Sequence, residues 1–289
     1  MNLRQIVGLI MIILMAVSYS FSHDSVHATL QGFYSCTSES NLHFKNSKVR
    51  QTSIGLDLQY LVSIGSPEMH IIHIQLRISN IQSDTVVLTF STNAAHWTNG
   101  FLSPEKNVKN FIARGESGKL LGAKTVNDGI DWTGDGIEVS TGSEEAVIID
   151  YDVKIGFESS EEGLVKTGYL NGKFGVVEPE FVFYCPVRVN VNSTRVSFEL
   201  PDGWIPVSHW RTEGSCSKVD FQSGELTAGA LGFGKYTIRS SMIGGVNVTV
   251  ATYGLDFGKT EKAAKNVFSL FDYYTRTIGP APIRGYVII

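Results

Sequence analysis

A chain of 289 residues, 43% hydrophobic and 18% charged, has room for one large or two moderate domains and is too apolar to be disordered. Its formal net charge is −4 and its basic residues are scattered along the chain. That pattern excludes the basic stripe that a nucleic-acid partner requires.

The amino terminus has the layout of an export signal. Arg4 supplies a positive start and Ile6–Val17 is an apolar run of 12 residues. Val26-His27-Ala28 places small side chains where a signal peptidase needs them, with Ser18-Tyr19-Ser20 as a competing site. A membrane span needs about 20 apolar residues. Residues 1–28 are therefore expected to be removed, with the product secreted, periplasmic or on the cell surface. Membrane contact is expected only if the signal stays uncleaved.

Residues 29–53 are polar and rich in Ser and Asn, a leader expected to order only by docking. A period of two then sets in. Leu56, Leu58, Tyr60, Val62 and Ile64 share one face, with Asp57, Gln59 and Ser63 opposite. After the turn Gly65-Ser66-Pro67-Glu68, the residues Ile72, Ile74, Leu76 and Ile78 alternate with His73, Gln75 and Arg77. Val86, Leu88 and Phe90 predict a third strand of the same antiparallel meander. Residues 92–145 read as loop-rich, with short strands near Asn110–Arg114 and Ile137–Ser140. The clearest alternation in the chain runs from Val147 to Phe157. Further strands are predicted at Phe181–Tyr184, Val187–Val191, Val196–Leu200, Tyr236–Ser240 and Val246–Thr252. Short strands separated by Gly-rich turns predict a mainly β chain built on an antiparallel β-sandwich.

Near the carboxyl end the period changes. Ala264, Val267, Phe268, Phe271, Tyr274 and Ile278 follow helical spacing. Gly258 and Thr260 are candidate N-caps, with Glu261 in the first turn and Arg276 in the last. Gly279-Pro280 is a stop signal, and Tyr286–Ile289 reads as a strand. The chain thus divides into a signal (1–28), a leader (29–53), a sandwich domain (54–240) and a strand–helix–strand unit (241–289) expected to be the start of a second domain.

Residues able to do chemistry are few. Cys36, Cys185 and Cys216 form no Cys-x-x-Cys, and their spacing does not decide a pairing. Asn192-Ser193-Thr194 and Asn247-Val248-Thr249 match the glycosylation acceptor pattern, which also occurs often by chance. His70 and His73 sit three apart, which on a strand turns the imidazoles to opposite sides. His96-Trp97 and His209-Trp210 read as edge packing, and Trp204 and Trp132 as core aromatics. Asp128, Asp131 and Asp135 lack the Glu that would complete a calcium loop and are turn formers. The run Ala228–Gly234 has no phosphate-cradling lysine and is expected to be a flexible connection. No His-Glu-x-x-His or Gly-x-Ser-x-Gly is present.

Several passages, in this order, resemble the N-terminal part of glycyl-aminopeptidase-type zinc metallopeptidases. They are the hairpin Leu56–Ile78; Val108–Ala113 with Gly118–Leu121 and Trp132; and Ala146–Ile155. Phe181–Pro186 with Phe198–Trp204, and the tail Tyr274–Ile289 with Ile278-Gly279-Pro280-Ala281-Pro282 and Tyr286, complete the set. Trp97-Thr98-Asn99-Gly100 departs from the family's corresponding segment by lacking its Pro and Tyr.

The resemblance implies a sandwich N-domain, then the opening of a thermolysin-like catalytic domain whose zinc-binding helix has no counterpart here. It therefore supplies no catalytic, cofactor-binding or metal-ligating residue, and zinc is expected only in a downstream domain. A catalytic zinc needs three protein ligands and a general base. The expected function is the non-catalytic N-terminal portion of an exported zinc aminopeptidase-like protein, inactive on its own. Its partners would be that catalytic domain or a peptide substrate. The alternative is a stand-alone extracytoplasmic sandwich that binds a protein or glycan. If the 259–278 helix normally rests on a catalytic core, its stripe is left partly exposed and promotes association.

Overall fold

The computed structural model describes residues 55–90, 107–127, 135–156, 168–213, 216–281 and 283–289. The signal, the leader, His96, Trp97, Asp128, Asp131 and Trp132 lie outside the described residues.

Strands are numbered along the chain. The first sheet holds β1 (Leu56–Ser63), β2 (Ile71–Ser79), β4 (Val108–Gly115), β7 (Ala146–Lys154), β11 (Val191–Glu199), β13 (Arg211–Glu213) and β14 (Cys216–Val219). Their spatial order is β13-β14-β11-β1-β2-β7-β4. The second sheet, in order, is β10 (Cys185–Pro186), β3 (Thr85–Thr89), β6 (Asp135–Ser140) and β5 (Ala123–Asn127). The third is β12 (Ile205–Val207), β15 (Leu231–Gly234), β9 (Phe174–Val177) and β8 (Gly168–Leu170). A fourth sheet of β16 (Thr237–Ile243), β17 (Val246–Thr252) and β18 (Gly285–Ile288) carries the helix α1 (Phe257–Ile278). The chain is mainly β and mostly antiparallel, as the alternation predicts, with parallel pairs at β1/β11 and β17/β18.

The period-two pattern becomes burial directly. Leu58, Val62, Ile74, Leu76, Ile149 and Val153 are completely buried, and Leu88, Val139, Leu231 and Phe233 of the second and third sheets complete one continuous core. Each such aliphatic side chain contributes about 1.5–3 kcal/mol by leaving water. β3 departs from the predicted meander. The free edge of β2 pairs with β7 over nine residues, Ile71↔Lys154 to Ser79↔Ala146, so β3 crosses to the second sheet and pairs with β6 and β10.

The predicted strand at Phe181–Tyr184 is instead a plug. Pro179 at the first position of a 3-10 turn (Pro179–Phe181) breaks the extended run. Phe181, Val182, Phe183 and Tyr184 are all buried. Buried carbonyls without a strand neighbour need other donors, and two core tyrosines supply them. Tyr60 Oη donates to Tyr184 O (2.8 Å) and Tyr151 Oη donates to Val182 O (3.0 Å). The Tyr184 N–H donates back to Tyr151 Oη at 3.1 Å. Val187–Asn190 is likewise not strand; the backbone turns at Arg188 with φ 59°, and β11 begins only at Val191.

The run Ala228–Gly234 is not a flexible connection, since its second half is β15, in the interior of the third sheet. Its glycines let two sheets approach. A Cβ on Gly232 would lie 2.7 Å from Ile289 Cδ1. Val207, Tyr236, Ala251 and Val287 fill the same interface, with Phe174, Ile238 and Ile289 against them.

Helix α1 covers the other face of the fourth sheet. Val267, Phe268 and Phe271 pack on Ile243, Val246 and Val248. Its N-cap is Asp256 rather than Gly258 or Thr260: the Asp256 carboxylate accepts from the Lys259 N–H at 2.8 Å. Thr260 is buried and shares a 2.8 Å hydroxyl contact with Thr252, and Glu261 pairs with Arg239 across to β16. The helix stops at Gly279, whose φ of 108° suits glycine.

Candidate functional site

A cleft of about 680 Å³ opens where the end of β14 and the 220–225 turn face the fourth sheet. Its wall on one side is the start of β11. The ladder to β14 begins only at Thr194↔Val219, so Val191, Asn192 and Ser193 line the cleft with no neighbouring strand on that side among the described residues. Trp210 forms the floor; it is buried, near-parallel to Phe198, and its indole N–H donates to Glu225 O at 2.9 Å. Lys218 and Arg211 reach the cleft from β14 and β13, and Arg284 reaches it from the turn before β18.

His209 lies beside this floor, edge-on to Trp210 with ring centroids 6.2 Å apart. Burial pushes its imidazole down to about 4, against a backbone hydrogen bond to Glu225 that raises it. A Cβ on Gly229 would lie 3.0 Å from His209 Nδ1, and one on Gly285 would lie 2.4 Å from His209 O. The histidine is therefore a neutral packing element, as the sequence predicts, and not a base poised near neutral pH.

The other histidine pair diverges. His70 is in the left-handed region (φ 56°) after the first 3-10 turn, and its Nδ1 meets Leu170 O at 2.5 Å. His73 lies on the outer face of the first sheet, with Nδ1 2.8 Å from Asp152 Oδ1. Asn110 donates to Asp152 Oδ2 (2.7 Å) and Gln75 donates to Asp150 Oδ1 (2.8 Å). Arg114 Nη1 lies 2.6 Å from Asp150 Oδ2, an ion-pair contact outside hydrogen-bond geometry. These groups staple β2, β7 and β4 together, and their carboxylates are committed to neighbours. The signal for this network is the register His73↔Asp152 and Gln75↔Asp150, which spacing along one strand does not reveal.

A second electrostatic feature is the turn after β9. Burial, and then the neighbouring Glu178, push the Glu180 carboxyl up to about 7. Perturbed carboxyls of this kind occur at functional sites and in structural networks alike.

The remaining sequence candidates separate. Trp204 and Trp210 both belong to the core. Cys185 and Cys216 lie in different sheets and are not paired with each other; burial pushes the Cys185 thiol up to about 12, away from a reactive thiolate. Asn192 and Asn247 both line the cleft, and Asn192 Nδ2 donates to Asp57 Oδ1 at 3.0 Å. Among the described residues, no three His, Cys, Asp or Glu side chains converge as metal ligands. The zinc implied by the resemblance therefore finds no donor set in them, and no step is derived through it.

The sequence model of one family, the peptidase M61 N-terminal domain, matches residues 59–228. No curated protein matches the chain. Among solved structures, an aminopeptidase N family protein from Idiomarina loihiensis aligns with a TM-score of 0.61 at 13% identity, over 80% of this chain and 38% of that one. An M1 zinc metallopeptidase from Deinococcus radiodurans gives 0.42 at 15% identity, over 81% and 56% of the two chains. Native yeast LTA4 hydrolase gives 0.42 at 12% identity, over 81% and 36%. The first likeness shows a shared fold, and the other two are too distant to carry an argument. The chain spans less than two thirds of each neighbour's length.

Proposed function

The chain belongs to the family of peptidase M61 N-terminal domains, and on that premise we propose that it is the non-catalytic portion of an exported zinc aminopeptidase-like protein. In this reading residues 54–240 brace the catalytic domain and wall one side of its substrate cleft, and residues 241–289 open that domain. Peptide hydrolysis belongs to the downstream zinc site.

The observation that carries the reading is the fourth sheet. Its inner face is fixed to the sandwich through Gly232, Val207 and Tyr236, so anything joined to it is held rigidly against the β body. Its edge strands β16 and β18 have no further strand among the described residues, and unpaired edges are templates for added strands. The aromatic side chains of α1 are only partly covered: Phe271 is half-buried and Tyr273 is exposed. A catalytic domain built onto this sheet covers those groups.

The test is to read the frame past Ile289 and assay the product. A His-Glu-x-x-His motif there, with zinc-dependent aminopeptidase activity that this chain alone lacks, supports the proposal. Stoichiometric zinc and peptidase activity in the isolated chain contradict it.

A further inference from the structure

We propose that His209 is a pH-operated latch, which holds the fourth sheet against the sandwich and releases it when the imidazole takes up a proton. The inference goes beyond the peptidase reading and does not depend on it.

His209 sits in the connection between β12 and β13, where the sandwich meets the first residue of β18. Its backbone lies directly on Gly285: a Cβ on that glycine would collide with His209 O and would lie 3.4 Å from His209 Cβ. Gly285 pairs with Asn247 of β17, and the Asn247 N–H donates to Arg284 O at 2.9 Å. A shift of residue 209 is therefore passed to β18 and from there to β17. On its other side the ring is held by Gly229, where a Cβ would lie 3.0 Å from Nδ1 and 3.2 Å from Cε1. Trp210, next in the chain, is part of the core and donates its indole N–H to Glu225 O. Swinging the imidazole out to water thus disturbs the backbone on which Gly285 rests.

The slot favours the neutral ring. Arg211 and Lys218 reach the same cleft from β13 and β14, Asp220 and Glu225 from the turn that follows, and Arg284 from the fourth sheet. β11 and β17 bring only uncharged side chains to it, among them Asn192 and Asn247. Neither carboxylate pairs with His209 among the described residues. Glu225 Oε2 accepts from the Asp220 N–H at 2.6 Å, and Asp220 Oδ1 accepts from the N–H groups of Gln222 (3.1 Å) and Ser223 (3.3 Å). Glu225 meets the imidazole through its backbone instead. Burial pushes the imidazole down to about 4, against its ordinary 6.5. His209 lines the cleft, which gives protons a route from solvent.

The sign follows. A released ring binds its proton near 6.5 and the seated ring near 4, so the seated arrangement is fully favoured above 6.5 and loses ground as pH falls towards 4. Full linkage would favour release about thirtyfold between pH ~7.5 and ~5. Solvent reaching the ring through the cleft reduces this to about tenfold.

The experiment is amide exchange on the purified chain at those two pH values, corrected for intrinsic rates, with an NMR titration of the His209 ring. The proposal expects protection of β17, β18 and α1 to fall about tenfold in acid, while β1, β2 and β7 do not lose theirs. His209→Gln, which stays neutral, should abolish the difference. If that variant fails to fold, the titration decides, with a midpoint near 4 in the native protein expected. Equal loss of protection in all strands, no loss in the fourth sheet, the same loss in His209→Gln, or a native midpoint near 6.5 overturns it.

Discussion

The sandwich and the fourth sheet with its helix are built from the same residue types but closed to different degrees. In the sandwich, Leu58, Ile74, Leu76 and Ile149 are fully buried, and even the backbone of the Phe181–Tyr184 plug is satisfied by Tyr60 and Tyr151. In the fourth sheet, Val248 is equally buried, yet the helix residues that cover it are half-buried, and Met242, Phe257 and Tyr273 are more than 60% exposed. The difference teaches that the sandwich has a fully buried central core, whereas the fourth sheet is fixed on one face and covered on the other by helix residues that are themselves half-buried. Local stability follows apolar burial, so the helix should open below the free energy of global unfolding.

Four substitutions break or sharpen that contrast. Leu76→Ala removes a completely buried side chain between β1 and β7 and should cost about 2–5 kcal/mol in chemical denaturation. Val267→Ala on the helix should cost clearly less; equal losses would erase the distinction. Gly232→Val drives a side chain into Ile289 and should cost about 1–3 kcal/mol. Amide exchange should then show β17 and α1 losing protection while β1, β2 and β7 keep theirs. Uniform loss would mean the two bodies unfold as one. Tyr151→Phe leaves Val182 O and Tyr184 N–H without their shared partner and should cost about 2 kcal/mol with no change at the helix.

The smallest effect is at Glu180, and its sign can be worked out. The folded carboxyl titrates near 7 and the unfolded one near 4.5. Between those values the unfolded chain loses the proton that the folded chain keeps, so stability falls as pH rises from 4.5 to 7. Glu180→Gln should therefore be neutral below that window and stabilising above it. Because the group is partly open to solvent, the gain is about 1 kcal/mol rather than the full shift. A variant equally stabilised at both ends of the window would show that burial of this carboxyl is not the cause.

Much of the fold was legible because burial on one face writes itself as alternation. β1, β2 and β7 are evident from residue spacing, as are the helix stripe and the Gly279 stop. What the spacing does not carry is pairing. Nothing local tells β3 to leave β2, or β11 to run parallel to β1. Phe181–Tyr184 is an unbroken apolar run, and such runs have no period to separate a strand from a plug. The glycines of Ala228–Gly234 suggest looseness in one dimension and close sheet contact in three. The cleft was hidden for the same reason, since Trp210, Lys218, Glu225 and Arg284 come together only through register and sheet packing. Asp256 was missed as the cap because Gly258 and Thr260 compete for that role within one turn.

The central claim is that the fourth sheet is the seat of a catalytic domain and the sandwich is its brace. Amide hydrogen exchange on this chain alone, and on the same chain joined to the zinc-peptidase domain that the proposal calls for, tests it directly. The account predicts that α1 and the edge strands β16 and β18 gain protection on joining while β1, β2 and β7 do not change. Unchanged exchange in α1, β16 and β18, with new protection on the outer face of the first sheet, would contradict it.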